Sequence, residues 1–120
     1  MAQIQAIKGF ADLFPAESRL FQRMEAAARA VFPRYAYGEL RTPLMEYTEL
    51  FCRSIGTETD VVQKEMYPFN DKGNRSITLK PEGTAGLVRA FLENRPFNEA
   101  LPQKMYYLNS PVFRYEEPQA

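Results

Sequence analysis

The feature that most constrains this chain is a long amphipathic segment enclosed between two prolines. Apolar residues such as Leu20 and Met24 recur at helical spacing through residues 16–32. Pro15 suits the first position of a helix, because its missing N–H would have no partner there. Pro33 disfavours helical geometry at the residue before it and is expected to end the segment. The pattern predicts one long helix with a wide apolar face.

A hairpin is predicted in the middle of the chain. The apolar segments 66–69 and 76–79 flank residues 70–74, which are rich in residues that favour turns. Pro68 cannot donate to a ladder of backbone hydrogen bonds, so its strand is expected at an edge or in a bulge.

Further short elements surround the hairpin. Thr48 is a candidate N-cap for a short helix that would bury Leu50, Phe51 and Ile55 and stop at Gly56. The remaining predictions are an extended segment over 39–42, a helix over 84–92 with Ala85, Val88 and Leu92 on one face, and strands over 104–109 and 112–116. Hairpin-linked strands with helices on one side indicate an α+β fold, an antiparallel sheet with flanking helices, in one domain over residues 1–120.

Composition limits the function classes. The 15 basic and 15 acidic residues cancel, so the chain lacks the basic excess typical of nucleic-acid binding, and a nucleic-acid partner would be held mainly by other parts of a protein. Cys52 is the only cysteine, which excludes an intrachain disulfide and fits a buried apolar role. The absence of histidine excludes His-based metal sites and triads. Neither a signal peptide nor an apolar run long enough for a membrane helix is visible, so we expect a cytoplasmic protein without membrane contact.

The first candidate site lies where a predicted strand meets a predicted helix, at Glu82-Gly83-Thr84. The Glu82 carboxylate and the Thr84 hydroxyl could grip an ammonium group, and Gly83 would let a ligand approach the backbone. The alternative is a helix start in which Thr84 caps and Glu82 interacts with the positive end of the helix dipole. Local chemistry alone favours the helix start.

The second candidate site is the segment Phe113-Arg114-Tyr115-Glu116. In an extended strand Arg114 and Glu116 share one face. The guanidinium of Arg114 suits phosphate oxygens, and Glu116 could accept from an amino group. The alternative is an exposed salt bridge of little energetic value.

A third segment, Arg41-Thr42-Pro43-Leu44-Met45-Glu46, follows the long helix. This helix and strand could pack into the core, or they could pair with a second copy across a dimer axis. The residues by themselves leave both possibilities open.

Taken in chain order, these segments resemble the histidyl-tRNA synthetases, a family of class II aminoacyl-tRNA synthetases. The strings that carry the resemblance are residues 6–12, 37–43, 48–51, 53–56, 59–67, 80–84 and 113–116. Each string is weakly specific, but all of them occur in the family's order over nearly the whole chain. The resemblance implies part of the class II synthetase core, and it reverses the preferences drawn from local chemistry.

The resemblance also implies roles for particular residues. Glu82, Gly83 and Thr84 would bind histidine, with the α-amino group held by the carboxylate and the hydroxyl. Arg114 would be the catalytic residue that holds the α-phosphate of ATP, and Glu116 would lie near the adenine.

The implied whole protein is a histidine–tRNA ligase that uses ATP with Mg²⁺ and transfers histidine to tRNA(His). It would be a cytoplasmic homodimer in which Arg41 and Pro43 lie at the dimer interface. No metal site is expected in the chain itself. Lys80 stands where members of the family more often carry arginine.

The sequence ends at Pro118-Gln119-Ala120, inside the second class II motif. We therefore expect an N-terminal fragment of the catalytic domain that folds at least in part, self-associates and is inactive alone. Two alternatives remain. One is a non-catalytic regulatory subunit of ATP phosphoribosyltransferase, a group that tends to lose the residue pattern found here. The other is a stand-alone dimerisation module that binds no nucleotide.

Overall fold

The computed structural model describes residues 2–55, 64–94 and 103–116, and it divides the chain into two units, Met1–Gly38 and Glu39–Ala120. The described helices are α1 Pro15–Val31, α2 Thr48–Ile55 and α3 Thr84–Glu93. The described strands are β1 Gly38–Glu39, β2 Met45–Tyr47, β3 Tyr67–Asn70, β4 Ser76–Leu79 and β5 Met105–Tyr106. The predicted α+β class with an antiparallel sheet is confirmed, and the single domain over residues 1–120 stays a prediction.

Helix α1 begins where the sequence predicts, with Pro15 at its first position. The preceding residue, Phe14, is extended, and its carbonyl accepts the N–H of Ser18 at 2.9 Å. The Ser18 hydroxyl donates to the carbonyl of Leu13 at 3.1 Å. The first turn is thus closed by backbone and hydroxyl together, which the local sequence is sufficient to arrange.

The other end of α1 agrees with the prediction only in part. The α-helix ends at Val31, next to the predicted end at Phe32, so the prediction that the helix closes before Pro33 is confirmed. Phe32 nevertheless keeps helical angles (φ −54°, ψ −46°) and the chain continues into a 3₁₀ turn, Phe32–Tyr35, so the prediction that Pro33 disfavours helical geometry at Phe32 is wrong. Pro33 lies at the start of that turn, where its missing N–H needs no partner. Ala36 then adopts a left-handed φ of 62°, and the N–H of Tyr37 donates to the Phe32 carbonyl at 3.0 Å. This reversal ends the helical path.

The apolar face of α1 is present as predicted, but it is not covered. No residue of α1 is buried, and the side chains of Leu20 and Met24 are 58% and 62% exposed.

The second unit is built on a three-stranded sheet in the order β2-β4-β3. Both pairings are antiparallel, and Thr78 of the central strand lies opposite Glu46 on one side and Pro68 on the other. The predicted hairpin is confirmed. Pro68 lies on an edge strand, as its missing donor requires.

The hairpin loop is organised by one carboxylate. Asp71 Oδ1 accepts the N–H groups of Gly73 and Arg75, both at 2.9 Å, and Oδ2 accepts from the guanidinium of Arg75 at 2.9 Å. Asn74 adopts a left-handed φ of 61°, a conformation that asparagine tolerates well. The turn chemistry that predicts the hairpin from sequence is therefore the chemistry that forms the loop.

The strand predicted over 104–109 is shorter than expected, and the prediction of a strand over 112–116 is wrong, because the described residues form none there. The described strand in this region is β5, which pairs with β1, and the N–H of Leu40 donates to the Tyr106 carbonyl at 2.9 Å. Asn109 turns the chain through a φ of 56°, and Pro111 lacks the N–H that a regular ladder would use. Residues 111–116 are therefore irregular.

Helix α2 begins at Thr48, the residue that the sequence predicts as its N-cap. The Thr48 hydroxyl shares a hydrogen bond of 2.7 Å with the hydroxyl of Ser76 on β4, so it ties the helix to the sheet. Phe51 is fully buried as predicted, whereas Leu50 is half-buried. The predicted burial of Ile55 and the predicted stop at Gly56 lie outside the described side chains and residues.

The centre of the second unit contains polar and charged side chains as well as apolar ones. Among the described residues, the buried apolar side chains are Phe51, Met66 and Pro81. The buried polar or charged ones are Glu46, Thr48, Thr78 and Lys80. Such groups are stable in an interior only when they are hydrogen-bonded. The positions of these polar side chains therefore depend on partners in other segments.

None of the helices in the described ranges has the length and apolar character needed to cross a membrane.

Candidate functional site

The segment Glu82-Gly83-Thr84 starts helix α3, and Glu82 provides the cap. Its carboxylate accepts the N–H of Thr84 at 2.6 Å and the N–H of Ala85 at 3.0 Å. Gly83 occupies the N-cap position, where it has no side chain to donate or accept. The helix start proposed from local chemistry is therefore present, but the capping group is Glu82 and not Thr84.

Capping leaves the Glu82 carboxylate able to accept further hydrogen bonds. A carboxylate has about four lone-pair sites, and the bonds to Thr84 and Ala85 use only part of them. The N–H groups fix the orientation of the carboxylate. The Thr84 side chain is exposed and makes no hydrogen bond within the described residues. A fixed anion and an unused hydroxyl therefore stand two residues apart.

These two residues belong to the wall of an open cleft of about 940 Å³. The cleft is lined by Tyr47, Leu50, Glu82, Thr84, Ala85, Val88, Arg89, Leu92 and Glu93. The predicted apolar face of α3 is thus the floor of a cleft, and Val88 and Leu92 are about half exposed. An apolar floor with a few polar groups at its margin is typical of small-molecule sites.

A charged network that the sequence analysis misses lies beside the cleft. Arg89 of α3 donates to the Glu46 carboxylate at 2.9 Å and to the Glu93 carboxylate at 2.6 Å. Burial by itself would lower the pKa of Arg89, but the hydrogen bonds and charges of Glu46 and Glu93 outweigh it and raise the pKa. The Arg89 Nε is buried without a hydrogen-bond partner among the described residues. The four-residue spacing of Arg89 and Glu93 on a helix predicts their ion pair from sequence, but no neighbouring residue indicates that Glu46 joins it.

Gly83 is required by a close approach from within the protein. A Cβ at this position would lie 2.7–2.8 Å from ring atoms of Tyr107. The space that the sequence analysis assigns to a ligand is, on this side of the backbone, filled by the tyrosine ring. Tyr107 is 40% exposed, so its ring forms part of the surface next to Glu82.

The segment that carries Arg114 and Glu116 is attached beside this region. The N–H of Phe113 donates to the Lys80 carbonyl at 2.9 Å, two residues before Glu82. Arg114 and Glu116 are exposed, and within the described ranges neither forms a hydrogen bond or an ion pair. The salt bridge considered as their alternative role is absent from that part of the chain. Neither residue lines the cleft that contains Glu82.

The predicted interface residues Arg41 and Pro43 are exposed. The guanidinium of Arg41 is 78% exposed and contacts the Glu39 carboxylate at 2.8 Å. Between them, Thr42 is half-buried and accepts a hydrogen bond from Lys80. The dimer interface stays a prediction.

Among residues 2–55, 64–94 and 103–116, no group of three or more Asp, Glu, Cys or His side chains is placed to hold a metal ion.

The comparison with known proteins is clear. The family model described as "Histidyl-tRNA synthetase" matches residues 9–120. The histidine–tRNA ligase of Nitratidesulfovibrio vulgaris (strain DP4) is 58% identical over 119 residues, covering 99% of this chain. The crystal structure of apo histidyl-tRNA synthetase from S. aureus superposes with a TM-score of 0.78 at 39% identity, over 94% of this chain and 30% of that one.

A third comparison concerns the alternative function. A protein of Bacillus halodurans described as an ATP phosphoribosyltransferase regulatory subunit/histidyl-tRNA synthetase matches with a TM-score of 0.79 at 19% identity, over 98% of this chain and 30% of that one. At that identity the match shows a shared fold alone.

This chain spans 28% of the length of the Nitratidesulfovibrio relative. Because the family model covers almost the whole chain and the ligase match is 58% identical, the chain belongs to the histidyl-tRNA synthetase family.

Proposed function

We propose that these residues form part of a histidine–tRNA ligase, which activates histidine with ATP and transfers it to tRNA(His). The identity of 58% to a histidine–tRNA ligase over 119 residues supports this reaction. The carboxylate of Glu82, fixed at the start of α3 beside a cleft, is the observation that supports a substrate-binding role. Because the chain spans 28% of that relative, the activity is proposed for the ligase as a whole.

Glu82 and Thr84 receive the α-ammonium group of histidine in this proposal. An ammonium has three donors, and the Glu82 carboxylate keeps lone pairs beyond those used by the helix. The exposed Thr84 hydroxyl is available as a second acceptor. Because backbone N–H groups already hold the carboxylate, binding costs little side-chain entropy at Glu82. Gly83, which lies between them, lets the backbone pass close to the ring of Tyr107, where a side chain would collide.

Arg114 holds the α-phosphate of ATP, and Glu116 lies near the adenine. The exposure of Arg114, without a carboxylate partner in the described ranges, leaves its fork of donors available for phosphate oxygens. Charge builds on the α-phosphate as the histidine carboxylate attacks and pyrophosphate leaves. A guanidinium that contacts this phosphate therefore stabilises the transition state more than the ground state.

Mg²⁺ is proposed to enter with ATP, bound to its phosphates. Among the described residues, no three or more Asp, Glu, Cys or His side chains come together where they could hold the ion.

The remaining proposals concern the assembled enzyme. We propose a cytoplasmic homodimer with Arg41 and Pro43 at the interface, supported by the exposure of both residues. The formal net charge of zero supports a tRNA(His) contact made mainly by other parts of the ligase.

The experiment compares Glu82→Gln with Glu17→Gln in a ligase that contains these residues. In Glu82→Gln the amide oxygen can still accept one backbone N–H and so keeps part of the helix cap, but the side chain lacks the charge that an ammonium needs. Because a charge-assisted hydrogen bond is worth about 1.5–3 kcal/mol, the dissociation constant for histidine should rise about ten- to a hundredfold. The constant for ATP should stay within about threefold.

Glu17 lies in the first turn of α1 and serves as the matched control, because it also supplies a carboxylate to a helix start. Titration calorimetry with each substrate measures both constants. A loss of ATP affinity with histidine affinity retained would contradict the assignment of Glu82.

The regulatory-subunit and dimerisation-module alternatives are tested by the unmodified ligase. Both exclude histidine-dependent exchange of pyrophosphate into ATP, whereas the proposed function requires it.

A further inference from the structure

Lys80 is a buried cation at the exit of strand β4. Its side chain is 2% exposed. The ammonium group donates to the Thr42 hydroxyl at 3.3 Å and to the hydroxyl of Ser110. Its acceptors in the described part of the chain are thus two hydroxyls that come from two other segments.

The backbone of Lys80 joins the same two segments. Its N–H donates to the Leu44 carbonyl at 3.0 Å, and its carbonyl accepts the N–H of Phe113 at 2.9 Å. Lys80 therefore connects three segments. These are residues 42–44, the stretch that starts at Lys80 itself and leads to Glu82, and residues 110–113, which lead to Arg114.

Stability alone does not account for a lysine here. Removing an ammonium from water is costly, and hydroxyls repay less of that cost than a carboxylate would. An apolar side chain of similar length would fill the same space without this penalty. What an apolar side chain cannot do is hold Thr42 and Ser110 by directional hydrogen bonds.

We propose that Lys80 is a positioning residue that sets the spacing between the Glu82 segment and the Arg114 segment during adenylate formation. The proposal rests on the proposed function. Glu82 follows Lys80 by two residues, and Arg114 follows the hydrogen-bonded Phe113 by one. A displacement at Lys80 is therefore transmitted to both groups over short stretches of backbone. A misplacement of about 1 Å can cost about 10²-fold in rate.

The test uses Lys80→Met and Lys80→Arg in the ligase, with Lys72→Met as the matched control. Methionine has a similar length but donates no hydrogen bond, whereas arginine keeps both the charge and the donors. Lys72 is exposed in the hairpin loop. Pyrophosphate exchange gives kcat and the KM for each substrate, and a thermal melt reports folding.

Lys80→Met should lower kcat by about 10²-fold while both KM values stay within about threefold, because each substrate keeps its own contact and only their relative position is lost. Lys80→Arg should recover most of kcat, and Lys72→Met should behave as the unmodified enzyme. An unchanged kcat in Lys80→Met, or a fall explained entirely by higher KM values, would overturn the proposal. Absence of exchange in the unmodified ligase would instead overturn the proposed function.

Ser110→Ala carries the test if Lys80→Met does not fold. It removes one acceptor and leaves the lysine in place, so kcat should fall by about tenfold with KM values unchanged. In the double variant Ser110→Ala/Thr42→Val the loss should approach that of Lys80→Met. Full activity in the double variant would show that the side-chain hydrogen bonds of Lys80 position nothing.

Discussion

In the first unit, Met1–Gly38, the helix α1 carries its apolar side chains in the open, and no residue of it is buried. In the second unit, buried residues are present, and polar and charged ones such as Thr78 and Lys80 lie in the interior together with the fully buried ring of Phe51. Both regions contain helices that sequence patterns predict, α1 in the first and α2 and α3 in the second. They differ in the range of their hydrogen bonds. Those at the start of α1 join residues close in sequence, whereas those that stabilise the second unit join distant segments.

The comparison shows that amphipathicity and burial are separate properties. The apolar residues of α1 recur at the spacing that predicts a buried face, yet none of them is buried. Thr78 and Lys80, by contrast, would be assigned to a surface by composition alone, yet both lie in the interior with hydrogen-bond partners. Interior position in this chain follows from hydrogen bonding as much as from hydropathy.

The largest expected effect is a difference in how much one apolar-to-alanine substitution in each unit lowers the free energy of unfolding. Phe51→Ala removes a fully buried ring, and such substitutions cost about 3–5 kcal/mol, a large part of the total stability of a small domain. Leu20→Ala in α1 should change stability by no more than about 0.5 kcal/mol, because Leu20 is 58% exposed. Urea unfolding with residue-resolved hydrogen exchange measures both.

Strand β4 should lose its amide protection in Phe51→Ala while α1 keeps its own level. If α1 lost protection in step with β4, the two units would form one cooperative structure and the comparison would fail. The milder Phe51→Leu provides a measurable transition should Phe51→Ala unfold the second unit completely.

The parts of the fold that could be predicted are those determined by neighbouring residues. Pro15 and the helical spacing predict α1, and the loop around Asp71 with Pro68 predicts an edge hairpin. Each depends on turn chemistry, capping or a missing donor within a few residues. The end of α1 is predicted only in part, because the α-helix stops at Val31 but Pro33 then lies in a 3₁₀ turn and leaves Phe32 with helical angles.

The candidate site is only half predictable for the same reason. The types and order of Glu82 and Thr84 identify them, but the structure gives the predicted capping role of Thr84 to Glu82. The partners of Lys80 and Arg89 are out of reach, since Thr42 lies 38 residues from Lys80 and Glu46 lies 43 residues from Arg89. A sequence pattern that spans a few neighbouring residues cannot reveal such pairs. The contact of Tyr107 with Gly83 also joins residues far apart in sequence and could not be predicted either.

A second prediction compares the units by chemistry. In the ligase, Arg114→Ala should lower histidine-dependent pyrophosphate exchange by about 10²–10³-fold, as the loss of one donor to a developing charge typically does. Arg23→Ala is the matched control, an arginine of α1 that is also exposed. It should stay within about threefold of the unmodified enzyme. Equal losses in the two variants would remove Arg114 from the phosphate site.

The smallest expected effect lies at the margin of the second unit, where a carboxylate is held by short-range contacts like those that close α1. The backbone N–H of Arg75 is the main cause that holds the pKa of Asp71 below its ordinary value. Desolvation opposes the shift, and the charge and side chain of Arg75 and the N–H of Gly73 add to it. A lowered pKa in the folded state means that Asp71 stabilises the fold above its unfolded pKa of about 3.9. That contribution is lost as the pH falls through the folded pKa.

The difference in unfolding free energy between the unmodified chain and Asp71→Asn should therefore be constant at neutral pH and shrink below about pH 4. Arg75→Gln keeps the backbone N–H bonds and should retain part of this dependence, because the first cause of the shift survives. Urea titrations of the three proteins over that range measure the effect, and a difference that grows with acidity would show that the loop carboxylate is not stabilised by these bonds.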